Sequence, residues 1–169
     1  MFEAETLTLA QSVLDACRGR GWHIATACAG GLVAGAPTGI AGSSDVVERG
    51  FVTYSSEAKS ELLRVPFETL AAHGAISAET AAAMAQGAIA RAPVDLAISV
   101  TGIAGPGGAT PTKPVGLVLF GLARRDGACR TESRVFAGNR SAVRQAALDV
   151  ALGLLDAEVR SQSGGCTLG

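Results

Sequence analysis

Residues 97-AISVTGIAGPGGATPTKPVG-116 decide how this chain is read. The apolar run Ala97 to Val100 ends in a loop that carries Gly102, Gly105, Gly107 and Gly108. Glycine loses more backbone freedom on folding than any other residue. A glycine cluster at the end of a buried strand therefore has to admit left-handed backbone or a close neighbour. The strand itself, Val94 to Thr101, is mostly apolar, which predicts a central strand covered on both faces. In open α/β sheets, ligands bind outside the carboxyl ends of such strands. The loop matches neither the P-loop pattern nor the dinucleotide fingerprint. Its local signal leaves two readings open: a ligand-contacting loop, or a long connection kept flexible by glycine.

On either side of that strand, helical and strand patterns alternate. Leu7, Val13, Leu14 and Cys17 recur at three- and four-residue spacing and predict a helix over Thr6 to Arg18, stopped by Gly19 and Gly21. Trp22 to Ala27 reads as a short strand. Gly30 and Gly31 then turn into a small-residue helix, Leu32 to Ala36. The stretch VVERGFVTY, Val46 to Tyr54, is a strand by its β-branched and aromatic content, with Gly50 marking a bulge or a close approach. Helices follow over Glu57 to Arg64, Phe67 to Ala72 and Ala78 to Arg91, with Ser55 or Ser56 and then Ser77 as caps. Val115 to Arg124 and Arg130 to Phe136 form a hairpin around Asp126-Gly127. Asn139 caps a last helix reaching about Val159. The pattern predicts a three-layer α/β/α domain with a mixed, mostly parallel sheet over residues 1–160, and a loose polar tail over 161–169.

Composition narrows the function. The chain has 169 residues, 48% hydrophobic, with a net charge of −1. That balance, with 4% aromatic residues, gives no basic stripe and no stacking platform for nucleic acid. The cysteines Cys17, Cys28, Cys129 and Cys166 show no C-x-x-C spacing and the histidines lie far apart, so no metal site is expected. The start, MFEAET, is acidic and polar and predicts no secretory signal, and no apolar run approaches a membrane span. Free thiols without such a signal point to the cytoplasm.

Two further stretches carry chemistry. The last helix begins 139-NRSAVRQAAL-148, with Arg140 and Arg144 four apart at the positive end of the helix dipole. An anion bound there would turn two unfavourable placements into favourable ones; two solvated arginines are the plainer reading. The stretch 41-AGSSDVVERGFVTYSSEAKSELL-63 offers Ser43, Ser44, Tyr54 and Lys59 with no histidine nearby. Serine chemistry without histidine needs another base, and a lysine made neutral by burial can serve. The plainer readings are a capping serine and a surface lysine.

Taken with HGAISAETAAAMAQGA and DLAISVTGIAGPGGATPTKPVGLVLFGLA, that stretch resembles the CinA carboxy-terminal domain family from about Thr6 to Leu155. The resemblance implies an α/β/α domain that hydrolyses the carboxamide of nicotinamide mononucleotide to nicotinic acid mononucleotide and ammonia. It implies no metal or other cofactor, cytoplasmic pyridine nucleotide recycling, and a homodimer or larger homo-oligomer. It places the nucleophile at Ser44, the base at Lys59 and an assisting hydroxyl at Tyr54. It sets Ala27, Gly30, Gly42, Thr101, Gly102 and Gly105 against the substrate and Arg140 on the phosphate.

One departure stands out. The family usually reads A-E-S-C-T-G-G where this chain reads 25-ATACAGG-31. Thr26, Ala27 and Ala29 replace three polar side chains in a loop beside the substrate. Each lost hydrogen bond costs about 1–3 kcal/mol where a substrate group is left unpaired. The alternative to an active amidohydrolase is thus a catalytically weakened nucleotide-binding module.

Overall fold

A computed structural model describes residues 1–161. The expected tail, 161–169, lies outside the described residues apart from Ser161, which ends the last helix. The elements run α1 (Ala4–Arg20), β1 (Ile24–Cys28), α2 (Leu32–Thr38), a short 3-10 turn (Ser43–Asp45), β2 (Val47–Val52), α3 (Ser56–Leu63), α4 (Phe67–His73), α5 (Ala78–Arg91), β3 (Leu96–Gly102), β4 (Leu117–Arg124), β5 (Cys129–Val135) and α6 (Arg140–Ser161). Boundaries shift from the sequence reading by a few residues at most, and only the 3-10 turn was not expected.

The five strands lie in the order β2-β1-β3-β4-β5. β1 pairs in parallel with β2 and β3, while β3–β4 and β4–β5 are antiparallel. The sheet is mixed, as expected, but only half parallel. The reason lies in the glycine loop. Residues 103–116 return the chain without a crossover helix, and a parallel return requires a crossover. Ile103 and Leu117 open the loop as a ladder pair, with Ile103 N–H donating to Leu117 O at 2.8 Å and Gly116 N–H to Ile103 O at 2.7 Å.

Helices cover both faces. On one face α1, α2 and α6 bury Leu14, Val33, Val143 and Leu152 against Ile24, Ile98 and Phe120. On the other, α3 and α5 bury Leu63, Met84 and Ala88 against Ala25, Ala27 and Ala97. The second face is made of small residues because α5 lies very close to it. A Cβ on Gly121 would sit 2.2 Å from Ala81 O, and Ser99 Oγ donates to that same carbonyl at 2.6 Å. The central strands β1 and β3 are buried on both faces, whereas the edges β2 and β5 are largely open. The register of β1 and β2 slips between Ile24 and Ala25, so the bulge falls at Glu48. Gly50 serves instead as the close approach: a Cβ there would lie 2.8 Å from the Ala34 Cβ of α2.

Candidate active site

The carboxyl ends of β1 and β3 open into a cavity of about 420 Å³. Its floor and wall are apolar: Val100 and Val118 from the sheet, Leu32 and Val33 from α2, Val143 and Leu148 from α6. Its polar side chains are few: Tyr54, Lys59, Thr101, Arg140 and Arg144. That distribution is typical of a small-molecule site, an apolar pocket with a few placed polar groups.

Lys59 is the least ordinary of these groups. It is the fourth residue of α3, whose first turn is capped by Ser55 Oγ accepting from Ala58 N–H at 3.0 Å. Only 2% of Lys59 is exposed. Its Nζ donates to Thr53 O at 2.8 Å and to Tyr54 O at 3.4 Å, and no carboxylate lies within ion-pair reach among the described residues. Burial therefore penalises the charged form uncompensated, and the amine is pushed below the ordinary lysine range.

Tyr54, 69% exposed, stands at the rim and its hydroxyl accepts from Arg140 Nη2 at 3.3 Å. Arg140 Nη1 donates to Gly105 O at 3.0 Å. Arg140 thus joins the start of α6, the strand-end tyrosine and the glycine loop. Asn139 fixes that helix start, its Oδ1 accepting from Ala142 N–H at 3.0 Å. One turn further on, an Arg144 Nη2 lies 3.7 Å from where a Cβ on Gly30 would stand. Arg144 has no hydrogen-bond or ion-pair partner among the described residues. The first turn of α6 holds no acidic residue to neutralise either guanidinium.

Of the residues expected from the sequence, Lys59, Tyr54, Gly30, Thr101, Gly102 and Arg140 border the cavity. Gly105 reaches it through its carbonyl bond to Arg140. Three of the expected residues stand apart from the cavity. Ser44 lies in the exposed 3-10 turn that precedes β2, with Arg18 reaching Gly42 O and Asp45 beside it. β2 runs in parallel with β1, so its six residues carry the chain ~20 Å from Ser44 to the cavity end. Gly42 caps the same turn and shares that distance; its left-handed φ of 79° is the reason for a glycine there. Ala27 is fully buried on the α3–α5 face of β1 and does not line the cavity.

The glycine loop also answers for itself differently. What approaches Gly102 is the chain's own backbone, Leu117 O at 2.7 Å from a Cβ placed there. Thr101 is buried and its Oγ1 donates to Ala75 O at 2.8 Å, which ties the α4–α5 connection to β3. Sequence reasoning placed neither Ala75 nor Ile76 at the site, although both line the cavity. Cys28 ends β1. It is buried, yet it also borders the cavity, with its Sγ accepting from Gly31 N–H at 3.0 Å. No cluster of His, Cys, Asp and Glu suited to a metal ion occurs among the described residues. No helix among them is long and apolar enough to cross a membrane.

Residues 6–159 match the family model of the CinA C-terminal domain. The chain is 47% identical over 154 residues to the nicotinamide-nucleotide amidohydrolase PncC of Escherichia coli K12, covering 90% of this chain and 93% of that protein. It is 45% identical over 165 residues to a CinA-like protein of Mycolicibacterium gilvum, of which it spans only 38%. Among solved structures, the competence/damage inducible protein CihA of Agrobacterium tumefaciens superposes with a TM-score of 0.89 at 43% identity, covering 93% of this chain and 97% of that one.

Proposed function

The chain belongs to the CinA C-terminal domain family, and from that premise we infer that it is a nicotinamide-nucleotide amidohydrolase. It hydrolyses the carboxamide of nicotinamide mononucleotide to nicotinic acid mononucleotide and ammonia, a step of pyridine nucleotide recycling in the cytoplasm. The relative from Escherichia coli that matches nearly end to end carries that activity in its name. The observation that carries the reading is a buried amine facing the same cavity as two arginines.

Each end of the substrate has a counterpart. The phosphate sits on Arg140 and Arg144 at the start of α6, where the helix dipole adds to both guanidinium charges. The pyridinium ring lies along Val100, Val118 and Val143. The carboxamide then faces Lys59. The ring is itself a cation, so its arrival disfavours a second positive charge nearby and keeps the Lys59 amine neutral. A neutral amine at the reacting carbonyl is a general base. Thr101 and Gly102 shape the cavity mouth, and Tyr54 holds Arg140 over it. No cofactor enters the scheme, and assembly as a homodimer or larger homo-oligomer is consistent with the open β2 edge.

The test is ammonia release from nicotinamide mononucleotide by the purified protein. The reading expects turnover that falls at least a hundredfold in Lys59→Ala. Binding of the nucleotide without any ammonia would mark a binding module instead, the role suggested by the apolar Ala27 at the end of β1 and Ala29 in the turn after it.

A further inference from the structure

We propose that Lys113 is a positioning residue for the substrate: it braces the glycine loop against the α4–α5 connection and so holds Ala75 and Ile76 in place as a wall of the cavity. The inference rests on the amidohydrolase reading and goes beyond it to a residue outside the cavity.

The connection between α4 and α5, residues 74–77, belongs to neither helix, yet it lines the cavity through Ala75 and Ile76. Its carbonyls hold its shape. Three in a row are taken by three different parts of the chain. Ala75 O accepts from Thr101 Oγ1 of β3 at 2.8 Å. Gly74 O accepts from Thr80 Oγ1 of α5 at 2.7 Å. His73 O, at the end of α4 where carbonyls lose their helical partners, accepts from Lys113 Nζ at 2.7 Å. Thr101 and Thr80 are buried within the sheet and α5. Lys113 instead comes from the glycine loop, residues 103–116, and is the only charged side chain in it.

The sequence builds this contact at both ends. In 110-TPTKP-114, Pro111 pre-sets the second position of a turn. Thr110 N–H donates to Lys113 O at 2.9 Å, and Lys113 N–H donates to Thr110 O at 3.3 Å and to Thr110 Oγ1 at 3.1 Å. The turn is thereby closed on itself, and it sets where the lysine stem leaves the loop. At the receiving end Gly74 has a left-handed φ of 79°, and a Cβ there would lie 3.2 Å from Lys113 Nζ. Glycine both makes that bend and leaves room for the ammonium.

The loop is thus pinned to both layers of helices. Arg140 of α6 holds its near arm at Gly105 O, and Lys113 fastens its far arm to α4. Ala104 of the same loop lines the cavity. Without the brace, an arriving ligand would have to order the connection itself. That cost falls on affinity and leaves the chemical step alone.

The experiment compares the whole wild-type chain with Lys113→Met and Lys113→Arg, following ammonia release from nicotinamide mononucleotide and amide hydrogen exchange. Lys113→Met should raise KM about fivefold to twentyfold while kcat changes by about twofold or less. Exchange at Ala75 and Ile76 should quicken in the same variant, with the amides of α6 unchanged. Lys113→Arg, which can donate to the same carbonyl, should restore KM. An unchanged KM in Lys113→Met would overturn the inference. So would exchange at Ala75 and Ile76 that stays as in wild type, or a KM in Lys113→Arg no better than in Lys113→Met. A loss confined to kcat would overturn it too, since it would put Lys113 at the reacting atoms. Absence of ammonia from wild type has a different signature: it removes the amidohydrolase reading, and hydrogen exchange at Ala75 and Ile76 still decides the brace.

Discussion

The two ends of β2 belong to one uninterrupted motif, AGSSDVVERGFVTYSSEAKSELL, yet they behave as separate places. At the amino end, Ser43, Ser44 and Asp45 form a turn that buries Ser43, exposes Ser44 and Asp45, and is tied to α1 through Arg18. At the carboxyl end, Tyr54 and Lys59 stand at a cavity that also receives α6 and the β1–α2 turn. A strand rises ~3.3 Å per residue, so the six residues between the ends separate them more than any helix of that length would. Chemistry-bearing residues close in sequence are not thereby close in space. The carboxyl end collects the site because β1, β2 and β3 end there and α2, α3 and α6 begin there.

The sharpest way to break this comparison is to remove the amine at the carboxyl end. Lys59→Met should lower kcat by roughly 10²- to 10⁴-fold, the usual worth of a positioned base, when ammonia release is followed. A smaller loss would show that the carboxyl end does not carry the chemistry. The next largest effect is on stability. Gly121→Ala would drive a methyl group to 2.2 Å from Ala81 O, so it should cost about 1–3 kcal/mol or more as α5 is pushed off the sheet, read by chemical denaturation. The arginines come next. Arg144→Ala and Arg140→Ala should each raise KM by about tenfold to a hundredfold with a smaller change in kcat, consistent with a charge-assisted bond of about 1.5–3 kcal/mol. Asn139→Ala should cost about 1 kcal/mol through the lost cap, a fall in Tm of roughly 2–4 °C.

Much of this was legible beforehand, for identifiable reasons. The alternation of helical and strand periods gave the layers, and Ser55, Ser77 and Asn139 were recognisable caps because short side-chain acceptors precede each helix. Lys59 and Arg140 emerged from their placement near helix starts. The number of parallel pairs was overestimated because the return of residues 103–116 is a tertiary fact: nothing in its composition says whether it crosses the sheet. Gly50, Gly102 and Gly121 are conspicuous in sequence, but what each avoids is backbone or side chain from a distant segment. Ser44 stands apart from the cavity for the reason the two ends of β2 teach. Ala75 and Ile76 carry no chemical signal, and they reach the cavity only because Thr101 holds their carbonyl-bearing loop against β3.

The central claim is that burial lowers the hold of Lys59 on its proton beside the cavity. Its sign is fixed by the direction of the shift. A lysine whose folded pKa is depressed weakens the fold while protonated, and that cost fades as pH rises from the folded pKa toward the ordinary lysine value. Activity that uses the neutral amine should rise over the pH range in which the proton leaves. Titration of the Lys59 side chain by NMR, assigned with Lys59→Met, tests this directly. The account predicts a midpoint below 10.5, the ordinary value, coinciding with the alkaline-rising limb of kcat/KM. A midpoint at or above that value, with activity unchanged across it, would contradict the account.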